Sequence, residues 1–350
     1  MEEASTRRAS AKTRDVLITW PHYDIEHKQL GGALAAAGLE PRLAPKDGAR
    51  SPAEVRRLAA GAAGAIVSTD PFDAQVLAAL PSLRVIARVG VGIDSIDIEA
   101  ATAHGVAVTI TPGANESTVA EHTVAMMLGV QRRLAEHDAG VRRGEWNRTG
   151  PHTPWSLGGA TVGLIGYGRT GRLVADRLRG FGVRILVVDP VATDDPTVTM
   201  VTLEELLAGA DVVSLHCPLT PSTRGLIGAE QLALMRPDAI VVNTARGGVV
   251  DEPALIEALE RGRLRGAALD VFKDEPPRDQ RLLELRNVLL SPHVAGLSEQ
   301  SVGEMVRRAT ASVIEVLSGR RPAHVANPEV FGRFDLEAAS VPAAGGGEDD

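Results

Sequence analysis

Three short segments in the second half of the chain carry side chains that suit one reaction. The segments NTARGG (243–248), DVFKDEP (270–276) and SPHVAG (291–296) supply Arg246, Glu275 and His293. A guanidinium binds a carboxylate through two parallel hydrogen bonds and stays charged. An imidazole gives or takes a proton near neutral pH, and a carboxylate on its second ring nitrogen stabilises the protonated ring. The set can therefore hold a carboxylic acid and move a proton on a neighbouring oxygen.

A fourth segment, GLIGYGRTG (163–171), has the Gly-x-Gly-x-x-Gly spacing of a dinucleotide-binding turn between a strand and a helix. Gly166 permits the tight turn, Gly168 lets the backbone approach a pyrophosphate, and Gly171 lets the helix lie close to the strand. The next strand-like run ends in Asp189, 18 residues after Gly171. An acid there accepts hydrogen bonds from ribose hydroxyls and repels a 2′-phosphate, so the segment predicts NAD and not NADP.

Beside a nicotinamide cofactor, the same three side chains suit hydride transfer to or from C2 of a small 2-oxo or 2-hydroxy acid. In this interpretation Arg246 holds the carboxylate and steadies the charge on oxygen, while His293 moves the hydroxyl proton with support from Glu275. Cys217 and Pro218 follow the strand-like run DVVSLH (211–216). We expect these two residues to line the cofactor site, with Cys217 not acting as a nucleophile.

Short apolar runs alternate with helix-like stretches along the chain, which predicts a parallel α/β fold. The first set of runs is VLITW (16–20), GAIVST (64–69), VIARVG (85–90) and VAVTIT (106–111), and about six more lie between residues 161 and 292. We predict two Rossmann-like or flavodoxin-like doubly wound parallel-sheet domains. A long amphipathic stretch is expected over 116–141 and a last helix over about 298–317. The proposed reactive residues follow strands, at the edge where such sheets bind ligands.

Composition narrows the class of protein. Of 350 residues, 44% are hydrophobic and 23% charged, as in ordinary globular domains, and the net charge of -8 disfavours a nucleic-acid partner. The single Cys217 excludes an internal disulfide and suits a reducing cytoplasm. Residues 1–14 do not resemble a signal peptide, and no apolar run reaches membrane-spanning length. We expect a cytoplasmic protein with no metal site and no membrane partner.

The motifs together resemble one known family. They are ARVGVGIDSIDIEAA (87–101), TPGANESTVAEHT (111–123), GLIGYGRTGR (163–172), HCPLTPSTRGLI (216–227), NTARGGVVDEPAL (243–255), GAALDVFKDEPP (266–277) and SPHVAG. The chain is similar to the D-isomer-specific 2-hydroxyacid dehydrogenases over about residues 15–327, and within them to the D-3-phosphoglycerate dehydrogenases. The set is specific to the family but not to a substrate.

The resemblance implies roles for individual residues. Arg246, Glu275 and His293 would be the catalytic set. Contacts to NAD would come from the Gly-rich turn with Arg169 and Thr170, and from Asp189, Cys217, Thr223, Thr244 and Asp270. Contacts to the substrate would come from Arg88, Val91, Gly92 and Asn115.

The resemblance also implies the domain organisation. The substrate domain would comprise residues 14–109 and 298–328, and the NAD-binding Rossmann domain residues 110–297, with an active-site cleft between them. The long helix beginning near Glu116 would build a homodimer. Residues 1–13 and 334–350 are expected to be disordered tails.

Two departures from the family pattern bear on the substrate. Phosphoglycerate enzymes often place an arginine just after the strand equivalent to GAIVST, where this chain has Ser68-Thr69-Asp70-Pro71. We expect Asp70 to disfavour a phosphate. The chain also ends soon after Asn327, so we expect no regulatory domain and no feedback by serine. A phosphite dehydrogenase is disfavoured, since the segment ARVGVG lacks the lysine of those enzymes.

Several functions therefore stay open. The first is a 3-phosphoglycerate dehydrogenase-like enzyme. Alternatives are a hydroxypyruvate or glyoxylate reductase and a dehydrogenase acting on a phosphonate-bearing acid in a specialised pathway. A non-enzymatic alternative is an NAD-sensing binding protein of the co-repressor type.

Overall fold

The computed structural model describes residues 14–333 except 22, 24–30, 47, 151–152 and 192–194. Both expected disordered tails lie outside the described residues. The chain divides into two compact units, one made of the residues up to Pro112 and from Gly303 onward, the other of Gly113–Val302. Each unit is built on one parallel sheet, so the predicted α/β class with two doubly wound domains is confirmed.

The first unit has five strands. They are β1 (Arg14–Ile18), β2 (Leu39–Leu43), β3 (Gly64–Val67), β4 (Val85–Arg88) and β5 (Ala107–Thr109). They pair in the order β2-β1-β3-β4-β5, and every pairing is parallel. This is the 2-1-3-4-5 order of flavodoxin-like sheets.

The second unit has seven strands. They are β6 (Thr161–Ile165), β7 (Arg184–Val188), β8 (Thr199–Met200), β9 (Val212–Leu215), β10 (Ile240–Asn243), β11 (Gly266–Leu269) and β12 (Val288–Leu290). Their order is β12-β11-β10-β9-β6-β7-β8, again with parallel pairing. Counted from β6, this is the 3-2-1-4-5-6 order of dinucleotide-binding sheets with one further strand.

The helices alternate with the strands. In chain order they are α1 (Gly31–Ala36), α2 (Pro52–Ala59), α3 (Ala74–Ala78), α4 (Ile98–Ala103), α5 (Glu116–Gln131), α6 (Leu134–Arg142), α7 (Arg169–Leu178), α8 (Leu203–Gly209), α9 (Ala229–Leu234), α10 (Glu252–Glu260), α11 (Gln280–Glu284), α12 (Glu299–Leu317) and α13 (Val330–Arg333). None of the helices in the described ranges is long and apolar enough to cross a membrane.

Both faces of each sheet are covered around its central strands, which is why those strands are mostly apolar. In the second unit, Leu164 and Val242 belong to one buried cluster, whereas Ile165 and Val241 belong to another on the opposite face. Adjacent residues of a strand point to opposite faces, so both clusters need apolar side chains at every position.

The structure corrects three local predictions. The stretch 116–141 is not one helix, because Arg133 has a left-handed backbone (φ 52°) between α5 and α6. The apolar-run criterion also misses β2 and β8, which lie at the edges of their sheets. In β2 the sequence LEPRL carries two charges and a proline, and both residues of β8 are exposed. Edge strands tolerate proline and polar residues because one side is not paired.

Candidate active site

The three segments singled out in the sequence meet at the carboxyl edge of the seven-stranded sheet. Strands β10, β11 and β12 are neighbours in parallel register, with Asn243 opposite Leu269 and Leu269 opposite Leu290. The loops that leave these strands carry Arg246, Glu275 and His293, respectively. Neighbouring parallel strands bring their following loops to one edge, and this edge holds the ligand in doubly wound sheets.

Glu275 and His293 form a direct pair. Nδ1 of His293 lies 2.8 Å from Oε2 of Glu275, and the Phe272 N–H donates to Oε1 at 3.3 Å. Burial alone raises the pKa of Glu275, but the His293 hydrogen bond and charge, the Phe272 N–H and the Arg246 charge together hold that pKa below its ordinary value. The carboxylate therefore stays ionised and can support a protonated ring.

The backbone of His293 has an uncommon conformation for a residue with a side chain (φ 54°). Such a backbone persists only where its surroundings hold it. The His293 N–H donates to the Asp270 carbonyl at 2.8 Å. The Asp270 carboxylate accepts the N–H groups of Val294 and Ala295, each at 2.9 Å, and the Ser291 hydroxyl at 2.5 Å. Asp270 thus holds the loop that carries His293.

The role of Asp270 as an NAD contact stays a prediction, and its surroundings point to a second role. The residue is fully buried, and its carboxylate points to the loop that follows β12. It exposes no surface to a cofactor in this conformation.

The loop that carries Arg246 is shaped by its own residues. The Asn243 side chain donates to the Arg246 carbonyl at 2.9 Å and accepts the Ala245 N–H at 3.0 Å. A Cβ on Gly247 would collide with the backbone of Phe272. Because only glycine allows this approach, the Arg246 loop lies directly against the Glu275 loop. Sequence analysis missed both Asn243 and Gly247, although their places in NTARGG, beside Arg246 and at a strand end, were available signals.

The Gly-rich turn fits a dinucleotide pyrophosphate. Gly166 has a positive φ of 96°, and a Cβ there would lie 2.7 Å from the Cys217 nitrogen. A Cβ on Gly168 would meet no protein atom within 4 Å, so space for a ligand lies in front of it. Helix α7 begins at Arg169 without a side-chain cap, which leaves its first N–H groups and its positive dipole end available to phosphate.

Asp189 lies beside this turn. Its carboxylate accepts the Tyr167 N–H at 2.6 Å and the Val191 N–H at 2.8 Å. The residue therefore fixes the turn as well as ending β7. Each carboxylate oxygen keeps a second lone pair, so the predicted ribose contact is compatible with this arrangement.

The other predicted cofactor residues lie on the same edge. Cys217 is half-buried behind Gly166, and burial raises the pKa of its thiol, which suits a wall residue and not a nucleophile. The Thr223 hydroxyl donates to the Pro218 carbonyl at 2.6 Å and so closes the loop after β9. Thr244 is buried, and its hydroxyl lies 2.7 Å from that of Thr123 on α5.

The predicted substrate residues fall in both units. In the first, Arg88 is buried and its guanidinium donates to the carbonyls of Val89 and Gly92, so it braces the loop in which Val91 is exposed. In the second, Asn115 precedes α5, and its side-chain nitrogen lies 2.6 Å from where a Cβ on Gly296 would be. Asn115 thus lies against the loop that carries His293.

A polar cluster behind the His293 loop was not predicted. Nε2 of His122, on α5, lies 3.0 Å from the Ser291 hydroxyl and 3.6 Å from Asp270 Oδ1. The cluster links α5 to the loop after β12. No spacing in the sequence signals it, because its members are far apart in the chain.

The chain is similar to known proteins. Residues 124–295 match the family described as D-isomer specific 2-hydroxyacid dehydrogenase, NAD binding domain. The glyoxylate reductase of Korarchaeum cryptofilum is 44% identical over 271 residues, which cover 75% of this chain and 81% of that enzyme. The D-3-phosphoglycerate dehydrogenase of Mycobacterium leprae is 40% identical over 280 residues, 77% of this chain but 53% of its own length, so the chain spans about half of that relative.

A solved structure of a dehydrogenase has a similar fold. The D-lactate dehydrogenase from Aquifex aeolicus, complexed with NAD and lactic acid, is 29% identical, with a TM-score of 0.80. The match covers 90% of this chain and 99% of that one.

Proposed function

Because this chain belongs to the D-isomer-specific 2-hydroxyacid dehydrogenase family, we propose that it transfers a hydride between NAD(H) and C2 of a small 2-hydroxy or 2-oxo acid. The family makes it an NAD-dependent oxidoreductase. The observation that carries the assignment of residues is the 2.8 Å pair of His293 and Glu275, with the charge of Arg246 acting on the same carboxylate.

Each of the three side chains has one task in this proposal. Glu275 orients the ring through Nδ1 and stays ionised, which stabilises the imidazolium. Nε2 of His293 then points away from this carboxylate and gives its proton to the carbonyl oxygen in reduction, or takes the hydroxyl proton in oxidation. Arg246 binds the carboxylate of the substrate through its planar fork. Bound NAD(H) supplies or accepts the hydride.

We assign NAD to the turn at Gly166, Gly168 and Gly171. The backbone N–H groups at the start of α7, with Arg169 and Thr170, hold the pyrophosphate in this proposal. Asp189 accepts from the ribose and repels a 2′-phosphate, which favours NAD over NADP.

We further propose that the first unit recognises the substrate, through Arg88–Gly92, and that the second binds NAD. A homodimer through α5, α6 and the segment after them is also proposed. Leu134, Val141 and Trp146 expose large apolar surfaces there, at 57%, 57% and 75%. Apolar surface of this kind marks protein contacts. A cytoplasmic location stays a prediction from the single cysteine.

The relatives' names supply candidate substrates. One is a glyoxylate reductase and another a D-3-phosphoglycerate dehydrogenase. We propose glyoxylate and 3-phosphohydroxypyruvate from these names as substrates to test. Hydroxypyruvate and a phosphonate-bearing 2-oxo acid are added from the alternatives that the sequence left open.

The test is NADH oxidation by the purified protein with this panel and pyruvate. His293→Ala should lower turnover by roughly 10²–10⁴-fold while NADH still binds. His104→Ala, an exposed histidine after α4, is the matched control and should leave turnover unchanged. If no acid is reduced although NADH binds, the sensor interpretation is favoured. If His293→Ala turns over normally, the acid–base assignment fails.

A further inference from the structure

The carboxyl edge of the five-stranded sheet contains a buried ion pair. Nη1 of Arg50 donates to Oδ1 of Asp70 at 2.7 Å, and the two side chains are only 4% and 3% exposed. Asp70 is the acid that the sequence led us to expect to disfavour a phosphate. The structure instead turns its carboxylate towards a guanidinium.

Three neighbouring strands hold this pair. Thr19 follows β1 and its hydroxyl donates to Asp70 Oδ2 at 2.6 Å, and the Ser68 N–H after β3 donates to the same oxygen at 3.2 Å. Nη2 of Arg50 donates to the Ala44 carbonyl, which follows β2, at 2.5 Å. Both oxygens of the carboxylate are therefore engaged by fixed donors. A buried pair with this many hydrogen bonds keeps its geometry.

The charges around the pair cancel. Glu54 on α2 lies 3.0 Å from the Lys46 ammonium and 3.6 Å from Nε of Arg50. These four residues carry two positive and two negative charges. Nε of Arg50 is buried and makes no hydrogen bond within the described chain, so this N–H is an unused donor.

The pair lies under the loop that follows β3. This loop runs beside the loop after β4, because Val67 is opposite Arg88 in the register. The Phe72 N–H also donates to the Ser95 carbonyl at 2.8 Å. Ser68 is partly exposed and Thr69 exposed, whereas Asp70 is buried beneath them. The loop therefore exposes two hydroxyl-bearing residues above a neutralised charge pair.

We propose that the Arg50–Asp70 pair makes this edge select 2-oxo acids whose substituent on C2 is hydrogen or an uncharged group such as hydroxymethyl. This inference rests on the proposed function, in which the first unit recognises the substrate. A phosphate dianion leaves water at a large cost unless a cation receives it, and Asp70 already neutralises Arg50. Asp70 is thus a specificity-determining residue, because it neutralises Arg50 and so prevents that guanidinium from binding an anion.

Two opposite substitutions test this idea. Asp70→Asn keeps the size of the side chain and one acceptor oxygen but leaves Arg50 with an uncompensated charge. The ratio of kcat/KM for 3-phosphohydroxypyruvate to that for hydroxypyruvate should rise about tenfold or more. Arg50→Gln leaves Asp70 uncompensated, so the same ratio should fall below that of the wild type. The double variant should return towards the wild-type ratio.

A matched control separates this effect from net charge. Asp73→Asn changes the net charge equally, three residues along the chain, and asparagine can still cap α3 in place of the carboxylate that accepts the Val76 N–H. It should not change the ratio. Inhibition by inorganic phosphate at constant ionic strength gives a second readout, and it should strengthen in Asp70→Asn alone.

The outcomes are distinct. An unchanged ratio in Asp70→Asn, with hydroxypyruvate turnover retained, overturns the proposal, as does a wild type that prefers the phosphorylated acid. If Asp70→Asn does not fold, the Arg50→Gln variant tests the proposal instead. An unchanged or raised ratio of kcat/KM for the phosphorylated acid to that for hydroxypyruvate in this variant overturns the proposal. If no acid is turned over although NADH binds, the proposed function fails. Calorimetric titration of wild type and Asp70→Asn with inorganic phosphate then decides whether Asp70 closes an anion site.

Discussion

Replacement of Asp270 by asparagine distinguishes two roles for this residue. The family resemblance implies a contact to NAD, whereas the structure directs the carboxylate to the loop of His293. Asparagine has nearly the same size but only one acceptor oxygen. One side of the new amide must therefore face a donor that the carboxylate accepted, from Val294, Ala295 or Ser291.

The expected loss follows from these contacts. A buried N–H without an acceptor costs about 1–3 kcal/mol, and the remaining hydrogen bonds lose the contribution of the charge. About 2–3 kcal/mol is then no longer available to hold His293 in its left-handed conformation. If the reaction must restore that geometry, kcat falls roughly 30- to 150-fold. The Kd for NADH should stay within about threefold, since Asp270 is fully buried.

The assay is steady-state NADH oxidation, with the Kd for NADH measured by fluorescence titration. Asp274→Asn serves as the control, because it removes an exposed charge from the segment after β11 that also contains Asp270. Ser291→Ala removes one of the three hydrogen bonds to the carboxylate and should give an intermediate loss. A large rise in Kd with kcat nearly unchanged would refute the argument and restore the cofactor contact.

Four further predictions follow from the same geometry. Glu275→Gln keeps the size of the side chain but loses the charge that supports a protonated ring, so kcat/KM for 2-oxo acid reduction should fall about tenfold or more; a loss below twofold would contradict this role. Gly166→Ala introduces a Cβ 2.7 Å from backbone atoms, whereas Gly168→Ala meets nothing within 4 Å. Thermal melts and NADH titrations should show lower stability and weaker binding for the first, and weaker binding alone for the second; equal melting temperatures would speak against the crowding at the turn. Asp189→Ala should weaken NADH binding and narrow the preference over NADPH, measured as the ratio of kcat/KM values, and a wild-type preference would remove its ribose role. Burial lowers the pKa of His216 from 6.5 to about 4. Below pH 6.5 the unfolded chain therefore binds a proton at this residue that the folded chain does not. The contribution of His216 to the free energy of unfolding is fully present above pH 6.5, and the free energy falls by at most about 3 kcal/mol towards pH 4. Urea unfolding at pH 7 and 5 should show a smaller difference for His216→Asn than for the wild type, and equal differences would exclude this histidine as the cause.

Much of the site could be predicted because its signals are local. The Gly-x-Gly-x-x-Gly spacing places three glycines within one turn, and the requirement at Gly166 depends on that turn and the strand beside it. Arg246 and His293 each follow an apolar run closely, so their places at strand ends could be predicted from the chain itself. The alternation of apolar runs with helix-like stretches likewise sufficed for the α/β class, since burial on both faces demands it.

Other features depend on which segments meet. The sequence around Arg133 gives no signal that the helical stretch ends there. Strands β2 and β8 lack a run of apolar residues, so their pairing with neighbouring strands determines them. Asn243 bonds Ala245 and Arg246 within its own loop, whereas Gly247 and His122 gain their roles from partners on other loops. A residue type alone does not show such a partner.

The two aspartates illustrate the division most clearly. The sequence by itself determined that Asp70 and Asp270 are acids at the ends of strands, in a chain of the 2-hydroxyacid dehydrogenase type. Only the tertiary structure decided that Arg50 neutralises Asp70 and that Asp270 accepts three donors from the loop after β12. The reason is physical: the effect of a carboxylate is set by the donors and charges within a few ångströms, and folding brings these from distant parts of the chain.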